Sequence, residues 1–271
     1  MLRRILKRGV AWPSDHGTWA FFLSPLIIGL VAAGTWRRAS LYLVVAAFSG
    51  FLLRQPTTTL VKIASRRRGP QDLAAALFWS SAYLGAALLH LVGLYLTGYG
   101  FVLILAIPGI IVFCWYLALV ARRDERRQKG VEIVGAGVLA LSAPAAYWIG
   151  LEWMEPRGWM LWLLCWIFSA MSIIHVYGRL DKRRMSAASG LLLRRPGRRA
   201  WAANTTLLAL VVALSAFFAA PTLLPLPFLL QWAESAQAAF SVTPPSRAAA
   251  IGIRQLVVSA LFTALFILIW R

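Results

Sequence analysis

The chain has 271 residues, 60% of them hydrophobic and 14% charged, with a formal net charge of +19. A water-soluble domain is about a quarter charged; here the apolar residues come in long blocks with the charges between them, which excludes a soluble globular protein and suits a bilayer. The basic excess does not mark a nucleic-acid binder, because it is confined to short segments between apolar blocks, where Lys and Arg set topology and meet anionic lipid.

Arg3, Arg4, Lys7 and Arg8 open the chain, and a polar stretch from Trp12 to Thr18 separates them from the first apolar block. A signal peptide joins its charges directly to its apolar run, so the first block reads as a retained helix with Ser14 or Asp15 as its cap. A spanning segment needs roughly 20 mostly apolar residues and must satisfy its backbone internally. The sequence therefore predicts an all-α polytopic protein, one membrane domain over residues 1–271, with about nine transmembrane helices. They are placed at 18–35, 40–54, 73–96, 99–121, 131–151, 158–177, 201–219, 222–241 and 250–270. Pro108-Gly109 and Pro144 are candidate breaks. The eighth span, with Pro221, Pro225, Pro227, Gln231 and Glu234, reads as a kinked, re-entrant or interfacial helix.

With a cytoplasmic N-terminus, nine spans put all but four of the 28 Lys and Arg on the cytoplasmic side. The exceptions are Arg37, Arg38, Arg157 and Arg271. This is the positive-inside pattern. It favours the eighth segment as a span, since without it Arg247 and Arg254 would change sides. Trp36, Trp153 and Trp159 fall near predicted interfaces, as an aromatic belt does.

Four polar places at cytoplasmic helix ends are candidates for chemistry. His16 stands where the first span begins; its near-neutral titration suits proton handling in a polar cavity, and capping by its neighbours is the structural reading. Arg54, in Arg54-Gln55-Pro56, closes the second span with Lys62 beyond it; a guanidinium there either snorkels to headgroups or clamps an anion bidentately. Glu132, just inside the fifth span, either pairs with a nearby Arg or Lys or takes part in binding or proton transfer. His175 and Arg179 close the sixth span four residues apart, on one helix face unless Gly178 ends the helix first, with Asp181 and Lys182 following. Together with Arg54 they are expected to line one basic cytoplasmic mouth. His90 reads as a packing residue, and Cys114 and Cys165 as small apolar side chains without metal spacing. The sequence has no phosphate-binding glycine loop, no HExxH and no paired Asp-rich motifs, so neither a metal nor a cofactor is expected.

The stretch His16-Gly17-Thr18-Trp19-Ala20, followed by Pro25 and Gly29, resembles the opening of the YwiC-like family of bacterial membrane proteins, with Thr18 where the family has Ala. Arg54-Gln55-Pro56, Glu132 and the ending His175 to Arg179 are also similar to that family, so the resemblance runs over nearly the whole chain. It implies a bacterial cytoplasmic membrane and no settled activity. The plan of about nine spans, with charged loops after the second and sixth, further resembles the UbiA-type prenyltransferases. Those enzymes hold magnesium and a prenyl diphosphate with Asp-rich motifs in these two loops. Here the first loop has no Asp before Asp72 and the second only Asp181, so that metal site lacks its ligands.

The expected function is that of a UbiA-like helical bundle binding an amphipathic isoprenoid or membrane lipid. Arg54, Lys62, Arg179 and Lys182 meet its anionic headgroup; His16, Glu132 and His175 are the groups able to move protons should catalysis occur. The alternatives are a transporter, and a non-catalytic membrane partner whose basic loops dock an acidic protein.

Overall fold

The computed structural model describes residues 7–13, 16–124, 128–185, 190–217, 220–241 and 248–270, the side chains of 16, 190–193 and 248 excepted. Every regular element among them is helical. In chain order these are α1 (His16–Ala32), α2 (Arg38–Ala64), α3 (Leu73–Leu94), α4 (Ala106–Arg122), α5 (Lys129–Ala140), α6 (Ser142–Leu151), α7 (Arg157–Arg184), α8 (Gly190–Phe217), α9 (Leu226–Phe240) and α10 (Ala248–Trp270), with a single turn at Arg8–Ala11 before them.

Among the described residues, six helical stretches are long and apolar enough to cross a bilayer: Arg38–Ala64, Pro70–Arg122, Lys129–Leu151, Arg157–Arg184, Arg194–Phe217 and Ala249–Trp270. The second of these is not one rod. Between α3 and α4 the helix loosens into a π-turn, Tyr95–Tyr99, and a 3-10 stretch, Gly100–Leu105, with Gly98 at φ 91. The chain folds back there, because Arg67, just past α2, donates Nη1–H to the Val120 carbonyl at the far end of α4 (2.6 Å). Two expected spans fall short of the length: α1 has 17 residues and α9 has 15. At 1.5 Å per residue, α9 covers about 22 Å, against about 30 Å of hydrocarbon.

Several helix ends differ from expectation. The second span does not stop at Arg54 but continues through Pro56 to Ala64. Pro56 removes the N–H that would meet the Leu52 carbonyl, and the helix runs on; the hydroxyls of Thr57, Thr58 and Thr59 donate to the carbonyls of Leu53, Arg54 and Gln55, so these polar side chains are satisfied within the helix. Gly178 does not end the sixth span; α7 runs to Arg184. The candidate break at Pro108-Gly109 is absent, because Pro108 lies in the first turn of α4, where its missing N–H costs nothing. The fifth span is broken at Leu141, shortly before Pro144. There Leu141 bonds to Val138 rather than Gly137, and the Trp162 indole donates to the Gly137 carbonyl instead (2.8 Å).

The centre is formed by α5, α6 and α7, with α1 against α6 and α10, α8 and α9 against α7, and the α2–α3 hairpin outermost with α4 beside it. Trp148, Leu161, Phe168 and Phe262 are among the buried core, with the Phe168 and Phe262 rings stacked at 3.6 Å. α1 packs mainly on α6 and α10 and only lightly on α2. The chain also sorts its ends. Thr35 meets Gly150 (2.6 Å), and Arg37 and Tyr99 both reach Glu152, at one end. Lys7 and Arg68 share Asp72, each at 2.6 Å, at the other. Trp36 and Trp153 are exposed at the first end.

Candidate functional site

The residues expected to form one basic mouth lie in two places. Arg54 sits well inside α2 with its guanidinium over the Tyr116 ring of α4, 5.1 Å from the centroid. Lys62 is half-buried in the last turn of α2, and its ammonium makes no hydrogen bond or ion pair among the described residues. His16 opens α1, but its side chain lies outside the described residues, as do Ser14 and Asp15. Around this corner the N-terminal turn is docked rather than open: Gln55 donates to the Gly9 carbonyl and Tyr83 to that of Ala11, each at 3.1 Å. The motif after His16 packs helices. Trp19 stacks on Trp12 and meets the edge of Phe51, each at 4.8 Å. Gly29 lets α1 approach α6 so closely that a Cβ there would lie 2.2 Å from the Ala143 carbonyl oxygen.

The second place belongs to α7, α9 and α10. Ser172, His175, Arg179 and Lys182 recur every three or four residues on α7, which puts them along one face. Gln255 of α10 donates Nε2–H to Ser172 Oγ (2.8 Å) and to Gln231 Oε1 of α9 (2.7 Å), and the Ser172 hydroxyl donates to the same Gln231 oxygen (3.2 Å). Deep amides in a membrane bundle need such partners. Toward the basic end, Arg254 forks onto Glu234 through Nε (2.7 Å) and Nη2 (2.9 Å), and also donates to Gln237. His175 is 4% exposed, and its Nδ1 is buried without a hydrogen-bond partner. A cavity of about 120 Å³ lies between these helices, lined by His175, Arg179, Ala250, Ile251, Arg254 and Gln255.

Lys182 does not enter that cavity's lining. It is fully buried, and its ammonium donates to the carbonyls of Ala238 (3.3 Å) and Ser241. It thereby caps the C-terminal end of α9, where unpaired carbonyls and the negative end of the helix dipole favour a cation. The three helices can come this close because they cross at glycines: Gly178 faces Ala200 and Pro196 of α8, and Gly197 faces the Ala238 carbonyl of α9.

A larger groove of about 650 Å³ opens between the basic ends of α7 and α8. Its polar rim is Lys129, Asp181, Arg184, Arg195 and Arg199. Its apolar wall includes Ile174, Pro196, Ala200 and Ala203. Asp181 holds Arg184 (3.4 Å) and Lys129 (3.8 Å). Arg195 and Arg199 make no ion pair among the described residues. Glu132 is exposed beside this rim and accepts a hydrogen bond from the Tyr177 hydroxyl (2.6 Å), while Lys129 lies over the Tyr177 ring. Its described partner is thus a tyrosine rather than the Arg or Lys expected.

Among the described residues, no hydrogen bond or ion pair joins Arg54 or Lys62 to His175 or Arg179, and no group of three His, Cys, Asp or Glu is placed to hold a metal. Sequence reasoning did not identify Ser172, Gln255, Arg195, Arg199 or Arg254 as site residues, and treated Gln231 only as a weakness of its span. The available signal was an uncharged polar side chain deep in each of three apolar segments, which bilayer physics turns into a mutual network.

A family model described as YwiC-like protein matches residues 12–147. That covers the helix-packing motif, Arg54 and Glu132, but not the His175–Arg179 segment, so the match is narrower than the near full-length resemblance. No curated protein and no solved structure matches the chain.

Proposed function

The chain belongs to the YwiC-like family, and from that premise we propose a multi-pass membrane protein that binds an anionic amphiphile, a membrane lipid or an isoprenoid phosphate. Its headgroup rests among Arg184, Arg195, Arg199 and Lys129. The carrying observation is the groove between α7 and α8, where four cations face one carboxylate above an apolar wall. A guanidinium binds a phosphate oxygen pair by two parallel hydrogen bonds, and Arg195 and Arg199 are not committed to an acid. The tail runs along Ile174, Ala200 and Ala203 toward the bilayer. Asp181 keeps Lys129 and Arg184 oriented at the rim.

In this reading the chain crosses a bacterial cytoplasmic membrane nine times, counting α3 and α4 separately and α5 with α6 as one, with its N-terminus inside. The sorted ends support it, since Lys7, Arg68 and Arg67 gather at one end and Glu152 at the other. The basic loops then face the anionic cytoplasmic leaflet.

The test is mass spectrometry of lipids retained by gently purified protein, wild type beside the Arg195→Ala/Arg199→Ala double variant. An anionic species enriched over bulk membrane in the wild type should fall about tenfold in the variant, the loss of one charge-assisted contact or more. Identical bulk composition in both samples would sink the proposal.

A further inference from the structure

The cavity between α7, α9 and α10 is a second site of different character. At about 120 Å³ it has room for roughly four waters at about 30 Å³ each. It is far smaller than the groove of α7 and α8. Its walls are cationic: Arg179 and Arg254 line it, and the described carboxylate beside them, Glu234, is taken by Arg254 through two nitrogens. Arg179 has no hydrogen bond or ion pair among the described residues. Lys182, one turn along α7, adds a further cation, though its ammonium faces the carbonyl end of α9. At the basic end of the bundle a half-buried Arg179 and an exposed Arg254 thus face one carboxylate, an excess of positive charge that suits an anion.

Two further buried atoms are left unfilled. His175 Nδ1 and Gln231 Nε2 have no hydrogen-bond partner, and buried polar atoms are otherwise nearly always paired. His175 lines the cavity, and Gln231 is joined to it through Gln255.

We propose that this cavity is a binding site for a small oxyanion of the phosphate class, held by Arg179 and the free edge of Arg254 with His175 as a third donor. The site stands apart from the groove of α7 and α8. The Glu234–Arg254 fork orients Arg254, and the Ser172–Gln231–Gln255 network fixes the wall behind it. The oxyanion is either inorganic phosphate or the phosphate of a lipid headgroup entering edge-on, and the experiment separates these sources.

The full-length protein, reconstituted in phosphatidylcholine nanodiscs, is melted across a phosphate titration at ionic strength held constant with chloride. A ligand that binds the folded state alone raises the melting temperature in a saturable way. The wild type should show this rise, and the Arg195→Ala/Arg199→Ala variant should keep it. Arg179→Gln should raise the half-saturating concentration by about tenfold or more. Should Arg179→Gln fail to fold, Ala250→Leu, which narrows the mouth without touching a charge, should abolish the rise. A rise with phosphatidic acid nanodiscs and not with inorganic phosphate, kept in Arg195→Ala/Arg199→Ala and lost in Arg179→Gln, assigns the headgroup as the source. No rise with either overturns the proposal. So does a rise lost in the groove variant and retained in Arg179→Gln. Loss of retained lipid in Arg195→Ala/Arg199→Ala reads the groove and loss of the rise in Arg179→Gln reads the cavity, so the two sites fail independently.

Discussion

Gly29 and Tyr177 show how single side chains divide the work between packing and polar contact. A Cβ at Gly29 would sit 2.2 Å from a backbone oxygen of α6, which cannot rotate away, whereas one at Gly50 would meet nothing within 4 Å. Gly29→Val should lower stability by about 1–3 kcal/mol, the usual cost of overpacking, and Gly50→Ala should leave it near the wild-type value. Thermal unfolding of the purified protein measures both, and equal losses would refute the close crossing of α1 and α6. Tyr177 is buried and donates to an exposed acid, Glu132. A double-mutant cycle of Tyr177→Phe with Glu132→Gln should return a coupling of about 1 kcal/mol, small because solvent reaches the carboxylate. A coupling of zero would make the contact incidental.

Among the elements, α9 depends most visibly on a neighbour. It is short, begins in a proline-rich stretch, and has its last carbonyls held by Lys182 of α7. Lys182→Met should speed amide exchange through the last turn of α9, around Ala238 to Ser241, while α1 to α4 exchange as before. Unchanged exchange at Ala238 would show that the cap is dispensable. Element ends were also where the sequence was hardest to read. Arg54-Gln55-Pro56 has the composition of a terminator, but the helix continues through it, and the three threonines that follow satisfy their hydroxyls on its own carbonyls. Gly178 resembles a stop, but its use is clearance for α8. The apolar blocks themselves were legible because both lipid and bundle interior select apolar side chains. The inner site was half legible. Spacing put His175 and Arg179 on one face, but the groups they face come from α9 and α10. Ser172 meets Gln231 across 59 residues and Gln255 across 83, and nothing local announces such a meeting.

On the scale of the whole molecule, burial is unevenly shared. The most apolar window of Lys129–Leu151 is 72% buried inside the protein, and that of Pro70–Arg122 only 11%. Lys129–Leu151 is therefore an axle, and α3 and α4 show their outward aliphatic sides, including Leu88, Leu89, Ile107 and Ile110, to lipid. The two-ended arrangement of the loops predicts labelling. In a variant with Cys114 and Cys165 replaced by Ala, Gly98→Cys should react with a membrane-impermeant maleimide on right-side-out vesicles, and Arg68→Cys only on inverted ones. Labelling of both from one side would overturn the topology.

The first helix has its main partners late in the chain. α1 lies against α6 and against α10, more than 200 residues downstream. A ribosome adding about 5–20 residues per second needs roughly ten seconds or more to deliver that partner. During this interval α1 lacks the α10 side of its packing, although α2 and α6 are already made and Phe22 already has Phe51 to stack on; the side that α10 will cover must be shielded by lipid or by the insertion machinery. Arrival of α10 is then a ring-closing event that allows α1 to settle. A chain stopped short of residue 248 would leave its oldest segment unclosed, an open seam for membrane quality control to recognise.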